Sequence, residues 1–382
     1  MRVLLVAVPL LALAACKGAS VETAGGTAAP SGPVSGGSGG GVAFASGTVA
    51  NGATTTGGTT FLNTGSAKTL NANSGLQSLS IDLSTGAELY TGNASTVRAP
   101  GGTVAYDPRD GIFTLTLQDT KANVSTEFRY QDPAHRTANA QAGVPELSGF
   151  NYLEGIGSGD GDMTTTDATT FFYQRPGEST NYVTLAGYVR NSVPETGTAV
   201  YERGAMVFGE PTAMAQVPTK GTGQYTGGML ASMIGGSATQ WIAGSSTVSV
   251  DFAKNSVALA LTGTVGPGAY ANQIVPDSAL LVPTGAIFSA NGTATLDLVK
   301  SGGFTGQFQN AGFTFTRAGG TPQTLQIAIT PVSAGTSTAG ASSIDGAFYG
   351  PNAVNVGGSF RIVGGIPDQR VDIVGAFTGA AK

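Results

Sequence analysis

The sequence predicts an all-β protein in two parts, a strand-rich N-terminal domain and a small C-terminal antiparallel β-barrel of about eight strands. Three observations carry this. Beyond residue 43, apolar residues recur at every second position rather than every 3.6, and no stretch keeps a helical period for more than a turn or two. Threonine, valine and aromatics fill the runs, while Gly, Asn, Asp and Pro stand between them. Glycine supplies 59 of 382 residues, and in the C-terminal part it repeatedly flanks an aromatic, which suits the tight bends and close strand contacts of a closed barrel.

Taken in order, residues 1–15 read as an export signal. Arg2 opens the chain, Val3 to Leu13 is a short apolar run, and the small pair Ala14 and Ala15 leads to Cys16. A membrane-spanning helix needs roughly 20 apolar residues, and Lys17 and Gly18 end this run before that. Leu13, Ala14, Ala15 and Cys16 resemble the lipobox of bacterial lipoproteins. That resemblance implies a lipid, palmitate among its acyl groups, on Cys16 as the first mature residue, and Lys17 behind it implies the outer membrane. The chain has one cysteine, so Cys16 has no disulfide partner.

Residues 16–42 then form a Gly/Ser/Ala tether with almost nothing to bury. Its Gly36-Gly37-Ser38-Gly39-Gly40 fits the pattern of a hydrolase nucleophile elbow, but no strand precedes it and no helix follows, so the match is compositional.

Residues 43–210 are read as the first β domain. Gly111 to Leu117 against Val124 to Tyr130 is a hairpin pattern, and tyrosines are frequent (Tyr152, Tyr173, Tyr182, Tyr188, Tyr201). Gly209, Glu210 and Pro211 mark a boundary, and residues 213–382 are read as the barrel. There Thr247 to Phe252 alternates, Lys254 and Asn255 turn, and Val257 to Leu261 returns; Leu325 to Ile329 is a further strand.

The last forty residues hold the most specific pattern. Gly346-Ala347-Phe348-Tyr349-Gly350-Pro351-Asn352-Ala353, then Gly357-Gly358-Ser359-Phe360, and finally Gly375-Ala376-Phe377, resemble the closing strands of the transferrin-binding protein B type of β-barrel. On the residues alone, Gly350 and Pro351 close one strand, Gly357 and Gly358 open the next, and Phe348, Phe360 and Phe377 point into one core. The resemblance implies a handle-like β domain ahead of the barrel and a lipoprotein anchored in the outer membrane, its body facing the cell surface. It also implies an extracellular ligand, an outer-membrane TonB-dependent transporter and a surface lipoprotein export factor as partners. Ligand contacts in that family lie on variable loops, so no binding residue transfers.

Composition and side-chain supply narrow the chemistry. Charged residues are 11% against a usual share of about 25%. The net charge is −5, or −6 once Arg2 leaves with the signal, so no basic field exists for phosphate backbones and nucleic acid is excluded as a partner. His135 is the single histidine, in a polar turn-like stretch, which leaves a His-based triad without companions and no catalytic residue to name. Asp160, Asp162 and Asp167 lack the glycine and closing glutamate of a calcium loop, so no metal site is assigned. No cofactor is expected. Haem is the one cofactor-like ligand considered, because its iron accepts histidine or tyrosine; His135, Tyr130 and Tyr152 are the candidate contacts, with Trp241, the single tryptophan, as a fourth ligand-facing candidate.

A membrane-inserted pore is set aside, since the chain closes on Gly379-Ala380-Ala381-Lys382 rather than an aromatic and already carries an anchor. The reading is therefore a surface lipoprotein that binds an iron source, haem, another solute or a macromolecule for uptake. An adhesive or masking surface protein is the alternative, and an envelope enzyme comes last.

Overall fold

Apolar residues on alternate positions force the chain to lay one side of each strand against another layer, and the computed structural model shows how that demand is met. It describes residues 61–62, 66–94, 101–119, 124–131, 143–156, 165–177, 179–236, 238–271, 273–299, 302–317, 319–327, 329, 342–364 and 371–382. Cys16, His135, Asp160, Asp162 and the side chain of Asp167 lie outside the described residues. The described part is all-β, with nineteen strands and three single-turn 3-10 helices, in two sheets that share one compact unit.

The first sheet, here called the handle, is built around β1 (Lys68–Asp82). One edge of β1 pairs with β9 (Thr198–Gly209) along its length; the other pairs first with β3 (Gly102–Asp107) and then with β2 (Glu88–Ala94). From β3 the sheet continues through β4 (Ile112–Asp119) to β5 (Val124–Gln131), and from β9 through β8 (Val183–Pro194) and β7 (Thr165–Gln174) to β6 (Phe150–Ile156). The sheet curls until β5 and β6 pack side by side, with no ladder between them among the described residues. Its concave side holds an aromatic core of Phe61, Phe113, Phe128, Phe171, Tyr188 and Phe208.

The second sheet is a closed barrel. Its eight strands are β10 (Thr222–Gly235), β11 (Ala238–Asp251), β12 (Ser256–Tyr270), β14 (Ile287–Asp297), β15 (Gly303–Thr316), β17 (Ser343–Tyr349), β18 (Asn355–Gly364) and β19 (Val371–Ala381). Each pairs antiparallel with the next, and β19 returns to pair with β10. Two short strands, β13 (Gln273–Val275) and β16 (Pro322–Gln326), extend β12 and β15.

The expected hairpin turns at Asp251 to Asn255: the Asp251 carboxylate accepts the N–H groups of Ala253 and Lys254, and Asn255 takes a left-handed φ of 52°. Phe348, Phe360 and Phe377 meet in one core with Phe288, Phe304 and Phe313, as the alternation requires. Gly346 lies beneath the Phe304 ring, where a Cβ would stand 2.1 Å from the ring. This is the close approach that the glycine-flanked aromatics anticipate.

On β14 and the first part of β12 the inward residues include Val257, Leu259, Leu261, Phe288, Ala290, Ala294 and Leu296, while the outward residues are serine, threonine, alanine and asparagine, with Ile287 and Asp297 at the two ends of β14. A lipid-facing barrel carries its apolar band outside. Away from the handle, on these two strands, this one is apolar within and polar without.

Candidate binding site

Handle and barrel meet along a buried seam formed by β1, β8 and β9 on one side and β10, β18 and β19 on the other. These strands are buried on both faces. Over most of its length β10 reads as continuously buried, as do the second half of β9 and nearly all of β19. One face serves the strand's own core, and the other serves the seam.

The seam's apolar centre is Phe172, Val183, Leu185, Val207, Leu230 and Trp241. Phe172 lies flat over Gly187, where a Cβ would be 2.1 Å from the ring. Tyr152 stacks on Phe172 at 5.4 Å, and Trp241 meets Phe172 edge-on at 5.5 Å. The structure thus brings together two of the residues selected from sequence. Neither presents a free polar end. The Tyr152 hydroxyl donates to the Pro145 carbonyl at 2.7 Å and accepts from the Leu147 N–H at 2.7 Å, while Trp241 Nε1 donates to the Gly143 carbonyl at 2.6 Å. Tyr130 is elsewhere, buried in the handle core with its ring stacked on Phe171 at 5.9 Å.

Polar contacts across the seam fix its register. Gln77 Nε2 donates to the Asp372 carbonyl at 2.6 Å, and Asn73 Nδ2 to the Tyr349 hydroxyl at 3.3 Å. The Tyr270 hydroxyl donates to Glu88 of the handle, while within the handle Lys68 pairs with Glu210 next to the connection to the barrel. On the barrel side, Arg361 grips Asp372 through Nε–Oδ1 at 3.1 Å and Nη2–Oδ2 at 2.6 Å, close to Gly92 of the handle. Burial raises the Tyr349 hydroxyl above the ordinary tyrosine range, so it stays a neutral partner for Asn73.

The Phe348-Tyr349-Gly350-Pro351 motif works on both sides at once. Phe348 turns into the barrel core and Tyr349 into the seam, because successive strand residues point to opposite faces. Gly350 has a φ of 72° and lies under the Tyr182 ring of the handle, 2.4 Å from where a Cβ would be. Its N–H donates to the Glu210 carbonyl at 2.9 Å, and Thr212 donates to the carbonyls of Phe348 and Gly350. Asn355 Oδ1 accepts the N–H groups of Asn181 and Tyr182 at 3.2 and 3.0 Å. The motif therefore holds both the connecting segment and the handle.

Sequence reading missed Arg203. It is among the largest fully buried side chains, its Nη1 donates to Asn191 Oδ1 and the Glu202 carbonyl, and no carboxylate pairs with it among the described residues. Burial lowers its pKa to about 10. The available signal was parity: Arg203 shares its strand face with Tyr201, Ala205 and Val207. The positive-φ Gly143 sits against its guanidinium, so the Gly143 turn is held between Arg203 of the handle and Trp241 of the barrel.

These groups are spent on holding the two β bodies together. Residues 193–382 match the family described as the C-lobe and N-lobe beta barrels of transferrin-binding protein B. The C-terminal half of this chain belongs to that family. The match takes in β9 as well as the barrel.

Among solved structures, a double mutant of transferrin-binding protein B from Haemophilus parasuis Hp5 is 14% identical, with a TM-score of 0.33 over 83% of this chain and 76% of that one. The isotype 1 transferrin-binding protein B of serogroup B Neisseria meningitidis is 10% identical, with a TM-score of 0.28 over 83% and 77%. No curated protein matches the sequence. The transferrin-binding protein B barrel is the fold of a binding protein rather than of an enzyme.

Proposed function

We propose that this protein is a lipid-anchored surface receptor. Cys16 carries the acyl chains in the outer membrane, residues 16–42 are the tether, and the handle (43–210) and barrel (213–382) stand outside the cell as one body. It captures an extracellular ligand and passes it to a TonB-dependent transporter, after a surface lipoprotein export factor has brought it across the membrane. The observation that carries this reading is the membership of the C-terminal half in the transferrin-binding protein B barrel family. The lipobox-like Leu13-Ala14-Ala15-Cys16 and the double-sided seam, which makes a rigid platform, support it.

Protease treatment of intact cells tests it, with an antibody to the barrel and a periplasmic control protein. Loss of the barrel signal while the control survives is the expected result. Protection of both would overturn the receptor reading and leave a binding role inside the envelope.

A further inference from the structure

The outer wall of the barrel across β10, β11, β12, β14 and β15 is built differently from the seam. Cross-strand register sets Gln224, Ser249, Ala258, Thr293 and Gln307 in one outward row, one residue per strand. All five are exposed. The next row toward the seam is Thr226, Thr247, Ala260, Asn291 and Asn310, again without a charge. Over Gln224, Ser249, Ala258 and Thr293 of the first row lies a shallow groove of about 510 Å³. Its single charged lining residue is Asp251, whose Oδ1 accepts two backbone N–H groups and whose Oδ2 pairs with Lys254 at 2.9 Å, so that charge is already answered.

We propose that this wall binds a neutral polysaccharide. With no lysine or arginine in the rows, an anionic polymer finds no counter-charge, and with no free carboxylate a cationic one finds none either. Protein partners anchor on exposed aromatics, methionine and arginine and avoid serine; these rows offer the reverse. Hydroxyl and amide groups both donate and accept, as sugar hydroxyls do. They stand about 4.8 Å apart between strands and about 6.8 Å apart along them, a regular array facing a regular polymer. The serine, threonine and alanine members lose little side-chain entropy when covered, and Gln224 and Gln307 at the ends of the first row lose more. Each contact is weak, and repetition along the chain supplies the avidity.

This goes beyond the receptor reading and does not rest on it: failure here leaves surface exposure and transporter delivery untouched. The test is retention of the purified full chain on beads of dextran and of an insoluble β-glucan, with heparin beads alongside. Retention on a neutral glucan is expected, unchanged between about 50 and 500 mM salt because no ion pair is involved. Thr293→Arg and the double variant Ala258→Arg with Thr293→Arg should each reduce retention at least about tenfold by putting charge and bulk into the row. Ser125→Arg, on the exposed face of β5 in the handle, should leave it unchanged. Trp241 emission identical to wild type certifies that each variant is folded. Absence of retention on both glucans, retention on heparin alone, or retention that folded Thr293→Arg keeps in full would overturn the proposal.

Discussion

Handle and barrel solve the same problem, burying one face of an antiparallel sheet, and end in different forms. The barrel closes because β19 returns to β10, so every strand has two neighbours. In the handle β5 and β6 come side by side without a ladder among the described residues. The barrel core is filled mainly by phenylalanine and aliphatics, with Tyr225 among them, whereas the handle core carries three buried tyrosines, Tyr130, Tyr173 and Tyr188. The contrast sharpens within the barrel itself. Strand β14 and the first part of β12 alternate buried and exposed residue by residue, whereas β10 and β19 are buried throughout where the handle covers them. Closure and docking are thus separate demands, and the strands that meet both lose their period of two.

The comparison is broken most directly in the two cores. Phe348→Ala in the barrel and Phe171→Ala in the handle should each cost about 3–5 kcal/mol, the usual price of emptying an aromatic core site. If the seam couples the bodies, Trp241 emission and far-UV circular dichroism will report one shared denaturant midpoint for wild type and for both variants. Separate midpoints would show two independent folding units.

Asp372→Ala should cost about 3 kcal/mol, because Arg361 would remain mostly buried without its carboxylate. Replacing both residues with apolar ones should recover much of that loss in the same denaturation measurement.

Alkaline titration tests the tyrosines of the barrel core and the seam. Burial raises the Tyr225 pKa to about 12, and the hydrogen bond to Glu88, followed by burial, raises Tyr270 to about 12. Tyr349 and Tyr90 shift upward as well, both chiefly through burial. A tyrosine whose folded pKa lies above its unfolded value holds its proton longer in the native state. The stabilisation is full below pH 10 and is lost as pH rises from 10 to about 12. Burial of Arg203 acts in the opposite sense over that range, but it is one group against five, since burial raises Tyr201 as well. Equilibrium unfolding followed between pH 9 and 12 should show this loss, and Tyr349→Phe should make it shallower.

A smaller effect is expected at Trp241→Phe, about 1–2 kcal/mol, from the lost hydrogen bond to Gly143 and reduced packing on Phe172. The smallest belongs to the barrel wall: Thr295→Ala, exposed on β14, should move stability by no more than about 0.5 kcal/mol.

Much of the barrel was legible along the chain. Val248, Val250, Val257 and Leu259 announce a hairpin by alternation, and Asn255 tolerates the left-handed turn. The Phe348 motif could be read as a strand end, and its phenylalanines as core. Its second duty was hidden, because Tyr349 and Gly350 answer to Asn73 and Tyr182, far away in sequence. Of the residues picked as ligand contacts, Tyr152 and Trp241 proved to share one aromatic cluster through Phe172, and Tyr130 to lie in the handle core. An isolated aromatic carries no mark that separates a core position from an exposed one. Arg203 was passed over for the converse reason, since a lone charge in an alternating strand normally faces water.

The sequence by itself determined the strands, their turns, the inward phenylalanines and the family of the C-terminal half, because these depend on local period, turn chemistry and a short motif. Only the tertiary structure decided which strands are covered twice, where β1 divides its edge between β2 and β3, and which face of the barrel stays bare and uncharged. Double coverage follows from surfaces that meet across more than a hundred residues of chain, where burial is a property of the pair and neither strand's own pattern reports it.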